Sequence, residues 1–200
     1  MGEYALEVLT EERLVKVIDP AKNSAFDTEM LARPRFYFAE QRIVENFQRL
    51  IDSEAFTKFD AERDLIASQE SRLGIELDAV QLEAIHASLQ NKVLIITGGP
   101  GTGKTTLVRF ILGLMSRRIP SVALAAPTGR AAKRLTETTS YQASTIHRLL
   151  EADNMGFQRN RDQPLESELL IIDESSMIDT LLMDALLDAI SSSARLVLVG

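Results

Sequence analysis

A strand, a loop of small residues and a helix follow one another near the middle of the chain, and this order limits what the chain can fold into. The apolar run VLIIT begins at Val93, and GGPGTGKT occupies residues 98–105. The loop fits the Walker A pattern, in which successive backbone N–H groups wrap a phosphate chain at the start of a helix. A plain tight turn has no use for a Lys-Thr pair at its exit. The segment therefore predicts a P-loop.

The residues of such a loop have separate chemical roles. The ammonium of Lys104 would reach the β and γ oxygens of a nucleotide, and the hydroxyl of Thr105 would complete the coordination of Mg²⁺. We therefore predict ATP and Mg²⁺ as ligands. The predicted nucleotide-binding residues of the loop are Gly98, Gly99, Pro100, Gly101, Thr102, Gly103, Lys104, Thr105 and Thr106.

A second apolar run, LLII, ends in the acids Asp173 and Glu174, about seventy residues after the loop. In a P-loop ATPase the first acid holds Mg²⁺ and the second orients or deprotonates the attacking water. Taken alone, a strand followed by Asp-Glu is more often a solvated loop, but the P-loop favours the ATPase. We predict Asp173 as a metal ligand with Thr105, and Lys104, Asp173 and Glu174 as the catalytic residues.

The two parts of the chain differ in pattern. Beyond residue 75, short apolar strands alternate with helices, which predicts βαβ units on a parallel sheet flanked by helices. From Tyr4 to about Arg72, apolar residues lie three and four apart, as in YALEVLTEERLVKVI, which predicts helices. We therefore expect an α/β fold, with a small all-helical domain over 1–74 and a P-loop domain over 75–200.

Composition excludes binding through bulk charge. The formal net charge of -7 argues against a protein that binds nucleic acid or membranes in that way. Lys and Arg nevertheless outnumber Asp and Glu by ten to three between residues 104 and 161. The absence of cysteine excludes disulfides, and no apolar run approaches the roughly 18 residues of a membrane helix. We expect a soluble, cytoplasmic protein without membrane contact.

Two further segments carry polar groups that suit nucleotide or nucleic acid. Gln81, on the helix before the P-loop strand, can pair with the N6 and N7 edge of adenine, although an exposed helical Gln is the simpler interpretation. After the strand SVALAA, a loop of small residues begins a basic helix. Arg130, Lys133 and Arg134 on that helix could neutralise the phosphates of a strand, or could form a solvated face.

The motifs together resemble the RecD-like DNA helicases of superfamily 1, over roughly residues 77–200. The segments that carry the resemblance are LDAVQLEAI, GGPGTGKTT, AAPTGRAAKRL, STIHRLL, IIDESSMID and the terminal LVLVG. The resemblance implies a RecA-like domain that uses ATP to move 5′ to 3′ on single-stranded DNA, in repair or recombination. It also implies adenine recognition by Gln81. The DNA-binding residues that it implies, in agreement with the loop of small residues and the basic helix, are Pro127, Thr128, Gly129, Arg130, Lys133, Thr145 and His147.

In this family a short β-hairpin precedes the acid pair and acts as a wedge at the duplex fork. Residues 152–168 suit such an inserted hairpin, with Phe157 near its tip, and a disordered polar loop is the alternative. Bases interleave with aromatic residues in RPRFYF, residues 33–38. We interpret these aromatic side chains as core packing of an amphipathic helix rather than as a strand-binding surface.

The family motor closes ATP between two RecA-like domains, and the second supplies arginines that stabilise the transferring phosphoryl group. We expect that second domain in a longer polypeptide, because the chain stops at Gly200 directly after a strand. These 200 residues are then expected to bind nucleotide, to hydrolyse it feebly and not to unwind DNA. Two alternatives stay open, an AAA-type remodelling ATPase that shares GPGTGKT and a nucleotide-gated DNA-binding or docking module without turnover.

Overall fold

The computed structural model describes residues 16–18, 30–55, 57–59 and 63–200. Its strands and helices, in chain order, are β1 (Lys16–Ile18), β2 (Met30–Ala32), α1 (Pro34–Asp52), α2 (Arg63–Leu73), α3 (Ala79–Gln90), β3 (Val93–Ile96), α4 (Lys104–Met115), β4 (Val122–Ala126), α5 (Gly129–Thr139), β5 (Ala143–Thr145), α6 (Ile146–Leu149), β6 (Ala152–Asp153), β7 (Gly156–Phe157), β8 (Leu169–Ile172), α7 (Thr180–Ala189) and β9 (Arg195–Val199). A 3₁₀ turn, Ser175–Met177, follows β8.

The centre of the fold is a five-stranded sheet in the order β3-β9-β8-β4-β5. Every neighbouring pair in it is parallel. All residues of β8 and β9 are buried, because the sheet is covered on both faces. This explains why LLII and RLVLV are nearly continuous apolar runs rather than alternating ones. The predicted parallel α/β fold with flanking helices is confirmed.

The two faces of the sheet support separate apolar cores. Leu169 and Ile171 of β8 point into a core built with α2, α3, α4 and α5. Leu170 and Ile172 point to the other face and pack with α1, α6 and α7. The alternation follows from the two-residue period of a strand. Because helices from both faces hold β8 in place, the acids that follow it are rigidly positioned.

The expectation of an all-helical N-terminal region is wrong for two segments. Residues 16–18 and 30–32 pair as antiparallel strands, with Lys16 opposite Ala32 and Ile18 opposite Met30. The β-branched Val17 and Ile18 favour this extended backbone. Residues 4–15 of the predicted first helix lie outside the described residues. The separate 1–74 domain stays a prediction, and α1 and α2 contribute Leu50 and Ile66 to the two cores.

The interpretation of RPRFYF as core packing is wrong for its last aromatic residue. The exposed fraction of Phe38 is 48%, and the guanidinium of Arg35 lies 4.7 Å from the ring centroid of Phe36. Later residues of α1, such as Ala39 and Leu50, are fully buried instead. The burial stripe of α1 therefore begins after the aromatic residues. Among the described residues, no helix is long and apolar enough to cross a membrane.

Arg195 fastens the segment before α2 to the first residue of β9. Its side chain is 4% exposed, and its guanidinium donates to the carbonyl oxygens of Ser88 at 3.1 Å and of Thr57. It also lies 4.6 Å from the ring centroid of Phe59. Burial lowers the pKa of Arg195 to about 10. The contact lies at the amino end of the parallel strands, opposite the P-loop.

A polar contact holds α1 on α7. The Nε of Arg42 donates to both carboxylate oxygens of Asp184 at 3.1 Å, and Asp184 is 8% exposed. Nearby, Arg49 donates to Leu187 O and to Ser192 Oγ, each at 2.8 Å. Removal of Arg42 would leave a nearly buried carboxylate without its cation.

We therefore predict that Arg42→Ala lowers the free energy of unfolding by about 1–3 kcal/mol. This is less than for a fully buried pair, because 51% of the Arg42 side chain is exposed. Adding Asp184→Asn should recover part of the loss, since it removes the unpaired charge. Urea unfolding measures both effects, with the exposed Arg35→Ala on the same helix as a control. An Arg42→Ala effect no larger than that of Arg35→Ala would contradict the prediction.

Candidate functional site

The loop between β3 and α4 has the backbone that a P-loop needs. Gly101 and Gly103 have φ of 78° and 80°, a left-handed region that glycine adopts without strain. An added Cβ at Gly98 would lie 2.7 Å from the Thr102 hydroxyl. Small residues are therefore required here by geometry. The N-terminus of α4, with its free N–H groups, faces the space that the loop encloses.

Lys104, the first residue of α4, contacts the loop itself. Its Nζ donates to the carbonyl oxygens of Gly98 at 2.6 Å and Gly99 at 3.0 Å. The Thr102 hydroxyl donates to the same Gly99 oxygen at 2.9 Å. The ammonium is thus held at the mouth of the loop, where these carbonyl contacts can be exchanged for phosphate oxygens.

The two acids follow β8 on a constrained backbone. Glu174 is in the left-handed region with φ of 54°. This conformation is uncommon for a residue with a Cβ, and such residues are found most often at functional sites. The N–H of Glu174 donates to Asp173 Oδ1 at 3.0 Å. Burial raises the pKa of Asp173 above its ordinary value, and the N–H of Glu174 and the charges of Arg134 and Lys104 oppose that shift.

The loop and the acids line one cavity of about 530 Å³. Of the predicted nucleotide-binding and catalytic residues, those on its wall are Gly98, Pro100, Gly101, Thr102, Gly103, Lys104, Thr105, Thr106, Asp173 and Glu174. Arg134, Ser176 and Gly200 complete the wall. The cavity forms because β3 and β8 are parallel and both end at the same edge of the sheet. Phosphate-binding donors and carboxylates therefore face each other across a single space.

The donor set in this cavity suits Mg²⁺. The Thr105 hydroxyl and the Asp173 carboxylate are oxygen ligands, and Mg²⁺ usually takes one or two protein ligands and fills its shell with waters and phosphates. In the described part of the chain, no three acidic or histidine side chains gather closely enough to hold a metal by themselves. A metal here would therefore depend on a phosphate ligand.

Gln81 lies beside the P-loop rather than free on its helix. Its Oε1 accepts from the backbone N–H of Asp78 at 3.2 Å, and the Asp78 carboxylate accepts from the N–H of Gln81 at 2.8 Å. Its Nε2 donates to Thr102 O at 3.3 Å. Gln81 also lines a neighbouring cavity of about 540 Å³ that includes Lys104. Adenine recognition by Gln81 stays a prediction.

Sequence reasoning missed Asp78, which caps α3. The D-x-x-Q spacing from Asp78 to Gln81 is a capping-box signal that could have identified it.

The predicted strand-binding residues lie around the start of α5 and α6. The hydroxyls of Thr128 and Thr145 cap these helices, accepting from the N–H of Ala131 and of Arg148 at 3.2 Å each. A third cavity of about 420 Å³ lies between α5 and β5, and its wall includes Gly129, Lys133, Ser144, Thr145 and Arg148. Sequence reasoning missed Ser144 and Arg148, although they flank Thr145 and His147 in the same motif.

Not all of the predicted strand-binding residues share this cavity. Thr128, Arg130 and His147 are exposed and Pro127 is half-buried, and none of the four lines its wall. The Arg134 side chain, predicted as a cation for a nucleic-acid strand, lines the P-loop cavity instead. Adjacent residues of a helix point about 100° apart, so Lys133 and Arg134 serve different sides of α5.

Residues 152–157 form a small hairpin within the predicted 152–168 insertion, from the antiparallel β6 and β7. Phe157 lies on β7, near the tip of the hairpin. Its ring packs 5.8 Å from the His147 ring, and Met155, 92% exposed, occupies the tip. Phe157 packs inward because it is the only large apolar side chain on β7. The hairpin is thereby attached to α6.

Comparison with known proteins matches the part of the chain that carries both sites. A model of the family described as AAA domain matches residues 81–200, more than half of the chain. The chain belongs to the AAA domain family.

Two of the relatives of this AAA domain are named as DNA helicases, and a third is named as a subunit of the RecBCD enzyme. The chain is 46% identical over 110 residues to an ATP-dependent RecD2 DNA helicase of Deinococcus radiodurans, covering 55% of this chain and 15% of that protein. It is 32% identical to the RecBCD enzyme subunit RecD of Mycobacterium tuberculosis, covering 91% of this chain and 34% of that protein. The ATP-dependent DNA helicase dda of Enterobacteria phage T4 is 32% identical over 68% of this chain and 31% of its own length.

The chain thus spans about a third or less of the length of these relatives. The resemblance to RecD-like helicases predicted from the motifs is confirmed. With 91% of the chain covered, the similarity to the Mycobacterium tuberculosis subunit also extends into the region before residue 75, where no family motif was identified.

The raised pKa of Asp173 predicts that its ionised carboxylate lowers the stability of the AAA domain, while the same carboxylate is expected to bind the metal. An acid whose pKa is raised by folding costs stability when ionised, and the cost grows as the pH rises from the ordinary carboxylate pKa through the raised one. At neutral pH, Asp173→Asn removes that cost. We expect its thermal midpoint at pH 7 to equal or exceed that of the wild type, while Mg²⁺ no longer strengthens ATP binding.

Thermal unfolding at pH 7 and below the ordinary carboxylate pKa measures the first effect, and the stability difference should vanish at the lower pH. Fluorescent nucleotide titration with and without Mg²⁺ measures the second. Asp162→Asn, an exposed acid on the loop before β8, is the matched control and should change neither. A destabilised Asp173→Asn variant that retains its Mg²⁺ dependence would refute the assignment.

Proposed function

We propose that this chain is the ATP-binding motor domain of a DNA helicase or translocase, which binds Mg-ATP on the P-loop and single-stranded DNA beside it. The observation that carries the proposal is the arrangement around α5. The cavity with Lys104, Asp173 and Glu174 lies on one side of this helix, and the cavity with Lys133 and Thr145 lies on the other. A motor that moves on DNA needs its nucleotide-binding site and its DNA-binding site on one rigid element.

The residues of the first cavity support ATP hydrolysis. The P-loop N–H groups and the Lys104 ammonium bind the phosphates, and they stabilise the charge that develops on the transferring group. Thr105 and Asp173 would hold Mg²⁺, which neutralises phosphate charge when bound. Glu174 would orient the attacking water and accept its proton, and it lines the same cavity wall as Asp173.

The second cavity supports binding of a single strand through its phosphates. Lys133 and the first N–H groups of α5 supply charge and donors, and Thr145 with Arg148 supplies more from the start of α6. The exposed His147 ring can stack on a base, with Phe157 behind it. Local charge of this kind serves nucleic acid although the net charge of the chain is -7.

The resemblance of the motifs to RecD-like helicases supports proposals for the direction of movement, the pathway and the partners. We propose 5′ to 3′ translocation in DNA repair or recombination, in the cytoplasm, and a second RecA-like domain that completes the ATP site. The RecD relative is named as a subunit of an enzyme, so other subunits are further candidates for partners. An AAA-type remodelling ATPase has no need of the basic α5 or of the Thr145 region, and DNA-independent turnover would favour it.

The first test concerns nucleotide. We predict that the chain binds fluorescent ATP in the presence of Mg²⁺ and that Lys104→Ala weakens this binding by roughly tenfold or more, since a charged contact to phosphate is lost. In the longest form of the protein, single-stranded DNA should stimulate ATP turnover, and Lys104→Ala should abolish it. DNA binding without turnover would support a nucleotide-gated module instead.

The second test concerns the strand. We predict that Lys133→Ala weakens binding of a fluorescent oligonucleotide uniformly across sequences. It should also reduce the slope of log affinity against log salt by about one, since one phosphate contact is lost. Arg72→Ala, an exposed cation on α2 away from this cavity, is the matched control. Equal salt slopes for wild type and Lys133→Ala would remove Lys133 from the strand site.

A further inference from the structure

Two neighbouring cations on α5 face different cavities. Lys133 lines the cavity that includes Thr145, whereas Arg134 lines the cavity of the P-loop. Arg134 and Asp173 line the same cavity, and the charge of Arg134 opposes the rise in the pKa of Asp173. One helix therefore presents a positive charge to each of the two sites at adjacent positions.

The Arg134 guanidinium is available for a ligand. Among the described residues it has no hydrogen bond and no ion pair, whereas the Lys133 ammonium lies 3.9 Å from a Glu137 carboxylate oxygen. Arg134 is exposed, so its side chain can adjust without disturbing the core. Its helix is nevertheless firmly placed, since Leu135 is buried in the core beneath it.

We propose that Arg134 binds the terminal phosphates of the nucleotide and thereby links occupation of the P-loop to the helix that carries the strand contacts. This inference rests on the proposed function. It assigns to the domain a second phosphate-binding cation beside Lys104, from an element that the P-loop motif does not include. Arg134 is thereby assigned to nucleotide binding rather than to strand binding, the role that its position in the sequence had suggested.

Charge and shape both favour a phosphate at this position. Asp173 and Glu174 put two carboxylates on the wall of the cavity that would receive the phosphates, and a cation opposite them offsets the repulsion. A guanidinium is planar and offers paired N–H donors that match phosphate oxygens. Since Arg134 shares the cavity wall with Asp173, the expected metal ligand, we place its proposed contact at the terminal end of the phosphate chain. Arg134 should then favour ATP over ADP.

The consequence is coupling between the two sites. A ligand that draws Arg134 toward the P-loop acts on the same rigid helix that carries Gly129 and Lys133. If ATP changes the affinity for a strand through this helix, a strand must change the affinity for ATP by the same factor. Loss of Arg134 should reduce that factor toward one.

The test compares wild type, Arg134→Ala, Arg134→Lys and Arg109→Ala as complete 200-residue chains. Arg109 is an exposed cation on α4 that lies outside the wall of the P-loop cavity, so its variant is matched in charge. Fluorescent ATP and ADP are titrated with Mg²⁺. We expect Arg134→Ala to weaken ATP binding by about tenfold and ADP binding by no more than about threefold. Arg134→Lys should be intermediate, and Arg109→Ala should lie within about twofold of wild type.

The same chains then bind a fluorescent oligonucleotide with and without a non-hydrolysable ATP analogue. Support for the proposal is a nucleotide-dependent change in wild type that shrinks in Arg134→Ala, with equal thermal midpoints showing that the variant is folded. ATP binding by Arg134→Ala equal to that of wild type overturns the proposal, as does an equal loss of ATP and ADP. If Lys104→Ala also binds nucleotide like wild type, the proposed function itself fails, and the two failures are thereby distinguished.

Discussion

The parallel pairing of the central sheet is the constraint on which both candidate sites depend. Since β3, β4 and β8 run in the same direction, the P-loop, the start of α5 and the Asp-Glu pair all emerge at one edge. β9 separates β3 from β8, and Gly200, which follows β9, lies on the wall of the P-loop cavity. Burial of the sheet between two helix layers then turns this topology into a fixed geometry.

The nucleotide side of the site could be predicted because its signals are local. The P-loop requires small residues at consecutive positions, and an apolar run ending in Asp-Glu is a short pattern as well. The same holds for the strands that carry them, whose apolar runs reflect burial on both faces. Lys104 and Asp173 therefore lie where their motifs indicate, in one cavity.

The features that could not be predicted from the sequence depend on where side chains point once the helices and strands have packed together. Whether Arg134 faces the nucleotide or the strand is decided by the rotation of α5 against α4, and no motif encodes that angle. The contact of Phe157 with the His147 ring and the pairing of β1 with β2 join segments that no local pattern connects. Asp78 differs in kind, because its capping role is encoded in the local D-x-x-Q spacing to Gln81.

The far edge of the sheet has another task. There the guanidinium of Arg195, the first residue of β9, donates to the carbonyl oxygens of Ser88 and Thr57 and lies over the ring of Phe59. Contacts that stabilise the fold thus lie at one end of the strands, and the residues that would bind ligands lie at the other. The same separation is known from barrel enzymes. Changes around Arg195 would therefore alter how much folded protein accumulates, and the opposite edge could be redesigned for new ligands without loosening this fastening.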